Sequence, residues 1–171
     1  RSEEMEIIQP FKLKFIYLET DNFRSKKKKI IKELDKYPET DRGNFFSNKD
    51  SCKITEKLID VFDDEFAKLD DYFDKDIYLE TAWSVTYKKG NFHVPHNHGS
   101  TGYAGIIYLD LDVEHPKTTY LQPWQSEKDR TILYTPPVIE GDIMVIPKFL
   151  LHYSESNPID LRKRIISFDF L

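Results

Sequence analysis

Apolar and polar positions change their spacing about halfway along the chain. Over 7–18 they alternate loosely, with Phe11, Leu13 and Phe15 on one side, which predicts a strand. Thr20, Asp21 and Asn22 then offer helix N-caps. Ile30, Ile31 and Leu34 form one stripe of a helix that reaches Tyr37 and is stopped by Pro38. Residues 44–51 read as a loop, and Ser51 is placed to cap a second helix. Its apolar positions, Ile54, Leu58, Val61, Phe62, Phe66, Leu69 and Phe73, recur at three and four. After Asp76 the period shortens to two, and strands are expected over 78–87, 103–111, 118–121, 142–146 and 164–170.

Short strands separated by Gly, Pro and Asn predict an antiparallel sandwich or barrel, with the N-terminal helices packed on the outer face of one sheet. The fold class is therefore mainly β with flanking helices (α+β). Its 171 residues suit one domain, 1–171, divided into a strand-and-helix portion over 1–75 and a β core over 76–171. Twelve Phe and ten Tyr supply the aromatic content that disordered chains lack.

Charge and targeting narrow the function classes. The net charge of −5 argues against a nucleic-acid coat, which is usually basic. The run Lys26–Lys29 reads as a solvated helix face. Apolar runs fall far short of the ~20 residues a membrane helix needs, and the charged first nine residues lack a signal peptide's apolar core. A single cysteine, Cys52, excludes an internal disulfide framework. Together these features predict a cytoplasmic protein.

Candidate chemistry lies in the histidines. His93, His96 and His98 fall within six positions, and His152 follows much later. In an extended segment, residues two apart share a side, so His96 and His98 can converge on one ion. His93 has the opposite parity unless Pro95 breaks the phase. Taken alone, His-x-His leaves a metal site and ordinary surface or core histidines both open. Further on come a Gly141-Asp142 turn, an apolar strand, Pro147, His152, and then Arg162, Lys163 and Arg164.

The chain reads Trp83, Tyr87, Gly90, His96-Asn97-His98, Ser100, Gly105-Ile106-Ile107-Tyr108-Leu109, Gly141-Asp142, Pro147, His152, Arg164 and Ser167-Phe168, with Phe46-Ser47-Asn48 before the second helix. In order and spacing this resembles the compact 2-oxoglutarate- and Fe(II)-dependent oxygenases, including the prolyl-hydroxylase-like ones. The resemblance implies a double-stranded β-helix (jelly roll). It also implies substrate hydroxylation coupled to conversion of 2-oxoglutarate to succinate and CO₂, with Fe(II) as the metal and dioxygen as oxidant. The metal ligands it implies are His96, His98 and His152.

Non-haem iron sites of this class commonly use two His and one carboxylate. Here His98 stands where the carboxylate would be, and Asp142 and Asp110 are candidates to complete the triad instead. Three imidazoles also suit zinc. The resemblance assigns the distal carboxylate of 2-oxoglutarate to Arg164, with Arg162 of the same strand parity second and Lys163 facing the other way. Arginine fits because its planar fork grips a carboxylate. Tyr108 is assigned to the same carboxylate and Tyr87 to the metal-proximal end, although either tyrosine also reads as a core aromatic. Trp83 reads as packing, and Trp124 as a loop residue near the barrel mouth. The acceptor, a peptide prolyl or a small molecule, is not specified. A cupin-like three-histidine dioxygenase and a non-catalytic metal-binding jelly-roll module are the alternatives.

Overall fold

The computed structural model describes residues 13–48, 51–124 and 130–171. Residues 7–12 of the first predicted strand, including Phe11, lie outside them, as do 125–129 of the loop after Trp124. The elements in chain order are β1 (Ile16–Leu18), α1 (Phe23–Leu34), β2 (Thr40–Asp41), β3 (Phe46–Asn48), α2 (Ser51–Val61), α3 (Asp63–Phe73), β4 (Leu79–Tyr87), β5 (His93–His96), β6 (Tyr103–Asp110), β7 (Thr118–Leu121), β8 (Leu133–Tyr134), β9 (Ile143–Pro147), β10 (His152–Ser154) and β11 (Lys163–Phe170). The strands form two antiparallel sheets, one ordered β1-β9-β6-β11-β4-β3-β2 and one ordered β5-β10-β7-β8.

The helices cover the outer face of the larger sheet. Ile30 and Leu34 of α1, Ile54 and Leu58 of α2 and Phe66 and Leu69 of α3 are buried against Ile107, Ile143, Val145, Ile166, Phe168 and Phe170. Burying each such side chain is worth roughly 1.5–3 kcal/mol. Alternate residues of the same strands, Ile106, Tyr108, Met144, Ile146 and Ile165, enter a second core on the inner face with Tyr120 and Leu150. Strand β11 lies between β6 and β4 with both faces covered, so all eight of its residues are buried. Gly105 faces Phe168 across the β6–β11 pair, and a Cβ there would lie 2.0 Å from the ring. Only glycine lets that ring lie flat on the strand.

Several local expectations are corrected. The second predicted helix is two, because the chain bends at Phe62 (φ −114°, ψ 30°) and restarts with Asp63, Asp64 and Glu65, acidic residues suited to a helix N-terminus. Helix α1 ends at Leu34, and Asn22, at its N-terminus, is left-handed and makes no side-chain cap. The predicted loop over 44–51 contains β3, whose three residues pair with β4. Lys26 is not solvated: its ammonium lies 2.6 Å from the buried Glu65 carboxylate. Lys27 pairs with Asp110 and Glu140. Among the described residues, no helix is long and apolar enough to cross a membrane.

Candidate metal centre

Strand β5 begins at His93 and ends at His96, and Val94 and Pro95 between them form a bulge. Across β10, His96 is opposite His152 while His93 is opposite Ser154, so three steps on β5 match two on β10. A bulge inserts one unpaired residue and re-aims the side chains beside it. It thereby brings His93 onto the same side as His96, and their rings stack at 3.9 Å. His98 follows two residues after His96, on the same side, with its backbone N–H bonded to the Lys148 carbonyl.

One ring nitrogen from each of His96, His98 and His152 lies within 4.8 Å of the others. The remaining nitrogens define which atoms face inward. His96 Nδ1 is 2.8 Å from the Val94 carbonyl, His152 Nδ1 is 3.0 Å from the Leu150 carbonyl, and His98 Nδ1 is 2.6 Å from Asp169 Oδ1. A carbonyl or carboxylate only accepts, so each Nδ1 donates its proton and each Nε2 keeps a free lone pair. Burial also lowers the His96 pKa and pushes His152, further buried, down to about 3, so both rings are neutral at physiological pH. Three imidazoles with outward Nδ1–H bonds are a donor set that would suit Fe(II) or Zn(II).

The fourth imidazole, His93, lies between Phe45 and His96 and contacts Tyr87 Oη through Nδ1 at 3.3 Å. Burial pushes its pKa down to about 3 as well. The fifth, His115, is structural. Its Nδ1 accepts from the Asp112 N–H and its Nε2 donates to the Leu161 carbonyl.

Two hollows meet at the histidines. A narrow cleft of about 30 Å³ runs inward between the sheets past Tyr87, Ile106, Thr118, Ser154 and Ile165. A wide cavity of about 570 Å³ opens outward, lined by Arg42, Phe45, Ser47, Trp83, Asn97 and Asp169. The buried Ser47 hydroxyl in its wall makes no hydrogen bond to the described residues. Trp83 is thus more than packing: it lines both hollows and its ring lies 5.4 Å from that of His98. Trp124 is exposed and lines neither.

The basic cluster at the start of β11 is arranged opposite to expectation. Arg164 pairs with Thr86 and Asp110 on the helix-facing side, where its Nε donates to Asp110 Oδ2 at 3.0 Å. Arg162 shares that parity and lies 3.9 Å from the same carboxylate, exposed. Lys163 is the residue turned inward. It is fully buried, with Nζ 2.6 Å from the Pro116 carbonyl, 2.9 Å from Ser154 Oγ and 4.9 Å from the centre of the Tyr87 ring. No carboxylate of the described residues lies within 4 Å of it, and burial pulls its pKa down to about 7.

The correction has a physical cause. On β11 the even positions Ile166, Phe168 and Phe170 meet the helices, so Arg164 must share that face, while Lys163, Ile165, Ser167 and Asp169 look inward. Asp110 is occupied by Lys27 and Arg164, and Asp142 accepts the Ile139 N–H in its turn. Neither carboxylate reaches the histidines. Tyr108 is buried in the inner core, its hydroxyl beside Thr118 and Tyr120 but without a well-formed hydrogen bond, and burial raises its pKa to about 12. Tyr87 lines the cleft, and burial raises its pKa too. Sequence reasoning did not foresee the burial of Lys163 or the contact of Asp169 with His98. The signal was the alternation of β11 itself, polar at 163, 167 and 169 and apolar at 166, 168 and 170.

Comparison with known proteins places this arrangement in a fold. No family model matches the chain, and no curated protein matches it. Among solved structures, a 2OG-Fe(II) oxygenase family oxidoreductase from Burkholderia pseudomallei superposes with a TM-score of 0.71 at 10% identity, covering 91% of this chain and 83% of its own. HygX from Streptomyces hygroscopicus, with nickel and 2-oxoglutarate bound, gives 0.71 at 13% identity over 92% of this chain and 82% of its own. A prolyl-4-hydroxylase from Pseudomonas putida gives 0.61 at 8% identity over 92% of both. The chain shares the fold of these 2OG-Fe(II) oxygenase structures.

Proposed function

We propose that the protein is a 2-oxoglutarate- and iron(II)-dependent oxygenase, a hydroxylase whose two sheets form a double-stranded β-helix within one oxygenase domain. The observation that carries this reading is the buried Lys163 ammonium, which has no carboxylate within 4 Å among the described residues and shares the inward side of β11 with residues of the cleft behind the three histidines. An ammonium taken out of water without a partner is costly. The cost is relieved when an anion enters beside it, and a dicarboxylate can chelate an ion at one end and meet Lys163 at the other.

The metal ligands in this reading are His96, His98 and His152. Lys163 takes the distal carboxylate in place of Arg164 and Arg162, and the hydroxyls of Ser154 and Thr118, which line the cleft, and of Tyr108 beside Thr118 share it. Tyr87 flanks the cleft between Lys163 and His93. Iron(II) bound there with 2-oxoglutarate supplies oxygen activation, coupling oxidation of an acceptor C–H bond to formation of succinate and CO₂. The chain's own part is to hold imidazoles neutral, neutralise the cosubstrate and exclude water from a cleft walled by Val85, Ile106 and Ile165. The acceptor enters through the wide cavity, whose volume suits a small molecule or one side chain.

Calorimetric titration of the Mn(II)-loaded protein with 2-oxoglutarate is the test. Saturable binding in wild type and its loss in K163M support the reading. A metal-loaded protein that takes up no 2-oxoglutarate overturns it and leaves the three-histidine dioxygenase or the metal-binding module.

A further inference from the structure

The three imidazoles are not equivalent. His96 and His152 give their Nδ1 protons to neutral backbone carbonyls, whereas His98 gives its proton to a carboxylate, Asp169 Oδ1, at 2.6 Å. The pair is shielded, with side-chain exposures of 7% for His98 and 12% for Asp169. No Lys or Arg among the described residues lies within 4 Å of Asp169, so His98 is its one charge-compensating contact there. Asp169 comes from β11, the central strand, and faces inward with Lys163 and Ser167. His98 lies in the loop after β5, without a ladder of its own to fix it.

We propose that Asp169 is a positioning residue of the metal centre, which fixes His98 with Nε2 toward His96 and His152 and supplies, one ring removed, the negative charge that a carboxylate ligand would otherwise bring. This rests on reading the histidines as an iron site. A ligand set of three neutral imidazoles gives the site one more unit of positive charge than two imidazoles and a carboxylate. With Asp169 behind His98 the total returns to the same value. The carboxylate has moved outward by the width of an imidazole and the metal keeps a nitrogen ligand. Outer partners of this kind orient the ring and raise its basicity, and losing one typically lowers metal affinity by about 10–100-fold.

D169N keeps a hydrogen-bond acceptor beside the ring but removes the charge, and it weakens metal binding. The test is anaerobic calorimetric titration of wild type and D169N with Fe(II) and with Mn(II). The expected result is affinity lowered about 10–100-fold by D169N. Unchanged affinity in D169N overturns the proposal.

Two further readouts cover a poorly folded variant. In the zinc-loaded wild-type protein the His98 Nδ1–H gives a downfield, exchange-protected resonance in ¹⁵N-resolved NMR. Its absence overturns the proposal. In the iron-loaded protein D169N raises the Fe(III)/Fe(II) potential, because less negative charge favours the lower oxidation state, and an unchanged potential overturns it. If wild type binds no divalent ion, the iron-site reading itself fails. If wild type binds iron and 2-oxoglutarate and D169N binds iron equally well, only the present inference fails.

Discussion

Lys163 and Arg164 are consecutive on β11 and their side chains lie on opposite faces of the larger sheet. Lys163 is enclosed between Pro116, Ser154 and Tyr87 on the inner side, and Arg164 is bonded to Asp110 on the helix side. In the proposed reading the two therefore have separable roles, one toward 2-oxoglutarate and one toward the fold.

Substitution separates them. K163M should abolish 2-oxoglutarate binding to the metal-loaded protein while leaving metal affinity intact. It should also raise the unfolding midpoint of the ligand-free protein, because it removes an uncompensated buried charge. R164A should leave 2-oxoglutarate affinity near wild type and cost about 2 kcal/mol of stability, the usual worth of a hydrogen bond to a charged group. Urea unfolding and calorimetry on both variants check this. Loss of 2-oxoglutarate affinity in R164A with none in K163M would return the anchoring role to the arginine.

The pH dependence of cosubstrate affinity follows from the same residue. The Lys163 pKa lies near 7 in the ligand-free protein, lowered by burial, and a carboxylate beside it requires the ammonium form. Affinity for 2-oxoglutarate should therefore fall as pH rises above about 7. Ligand-free stability should move the other way through this group. Between pH 7 and the unfolded pKa near 10.5 the unfolded chain binds the proton that the folded one has lost, so stability rises with pH. Titrations at pH 6.5, 7.5 and 8.5 check the first, and urea midpoints over the same range check the second.

The histidines give an acid-side counterpart. His93 and His152 are both held near pKa 3 by burial, against about 6.5 when unfolded. From pH 6.5 down to 3 the unfolded chain takes up protons that the folded chain refuses. The contribution of these rings is present above pH 6.5 and is lost progressively below it. The metal-free protein should unfold more readily on acidification, and H93F should flatten that dependence. A urea midpoint in H93F that falls with pH as steeply as in wild type would contradict it.

Metal should stabilise the fold through His152. At about 100 times the dissociation constant a bound ion adds about 2.7 kcal/mol. Adding Mn(II) or Zn(II) should raise the melting temperature of wild type, and EDTA should reverse it. H152A, which removes the ligand contributed by a different strand from His96, should show neither response. A melting temperature that still rises with metal in H152A would take His152 out of the site.

Gly105 tests the packing beneath the site. A Cβ there meets the Phe168 ring at 2.0 Å, so G105A forces the ring or the strand to move. A loss of about 1–3 kcal/mol in urea unfolding is expected. An unchanged midpoint would show that the ring has room to turn.

Periodicity and spacing alone determined a good part of this protein. The change of spacing after Asp76, the helices over a sheet and the convergence of His96 and His98 were legible, because each depends on residues close in sequence; His152 was joined to that pair only by the resemblance to the oxygenases. What tertiary structure decided concerns sides and pairings. The His96–Val94 bond is local, but the bulge that turns His93 toward His96 needs β10 as its partner. The inward face of β11 is set by which of its alternate rows the helices cover, and that covering turned Lys163 inward and Arg164 toward the helices. Asp169 and His98 are 71 positions apart, and only the larger sheet brings that carboxylate to that ring. A one-residue difference in strand phase exchanges the two faces entirely, so a chain read in isolation can name the charged cluster without saying which member turns inward.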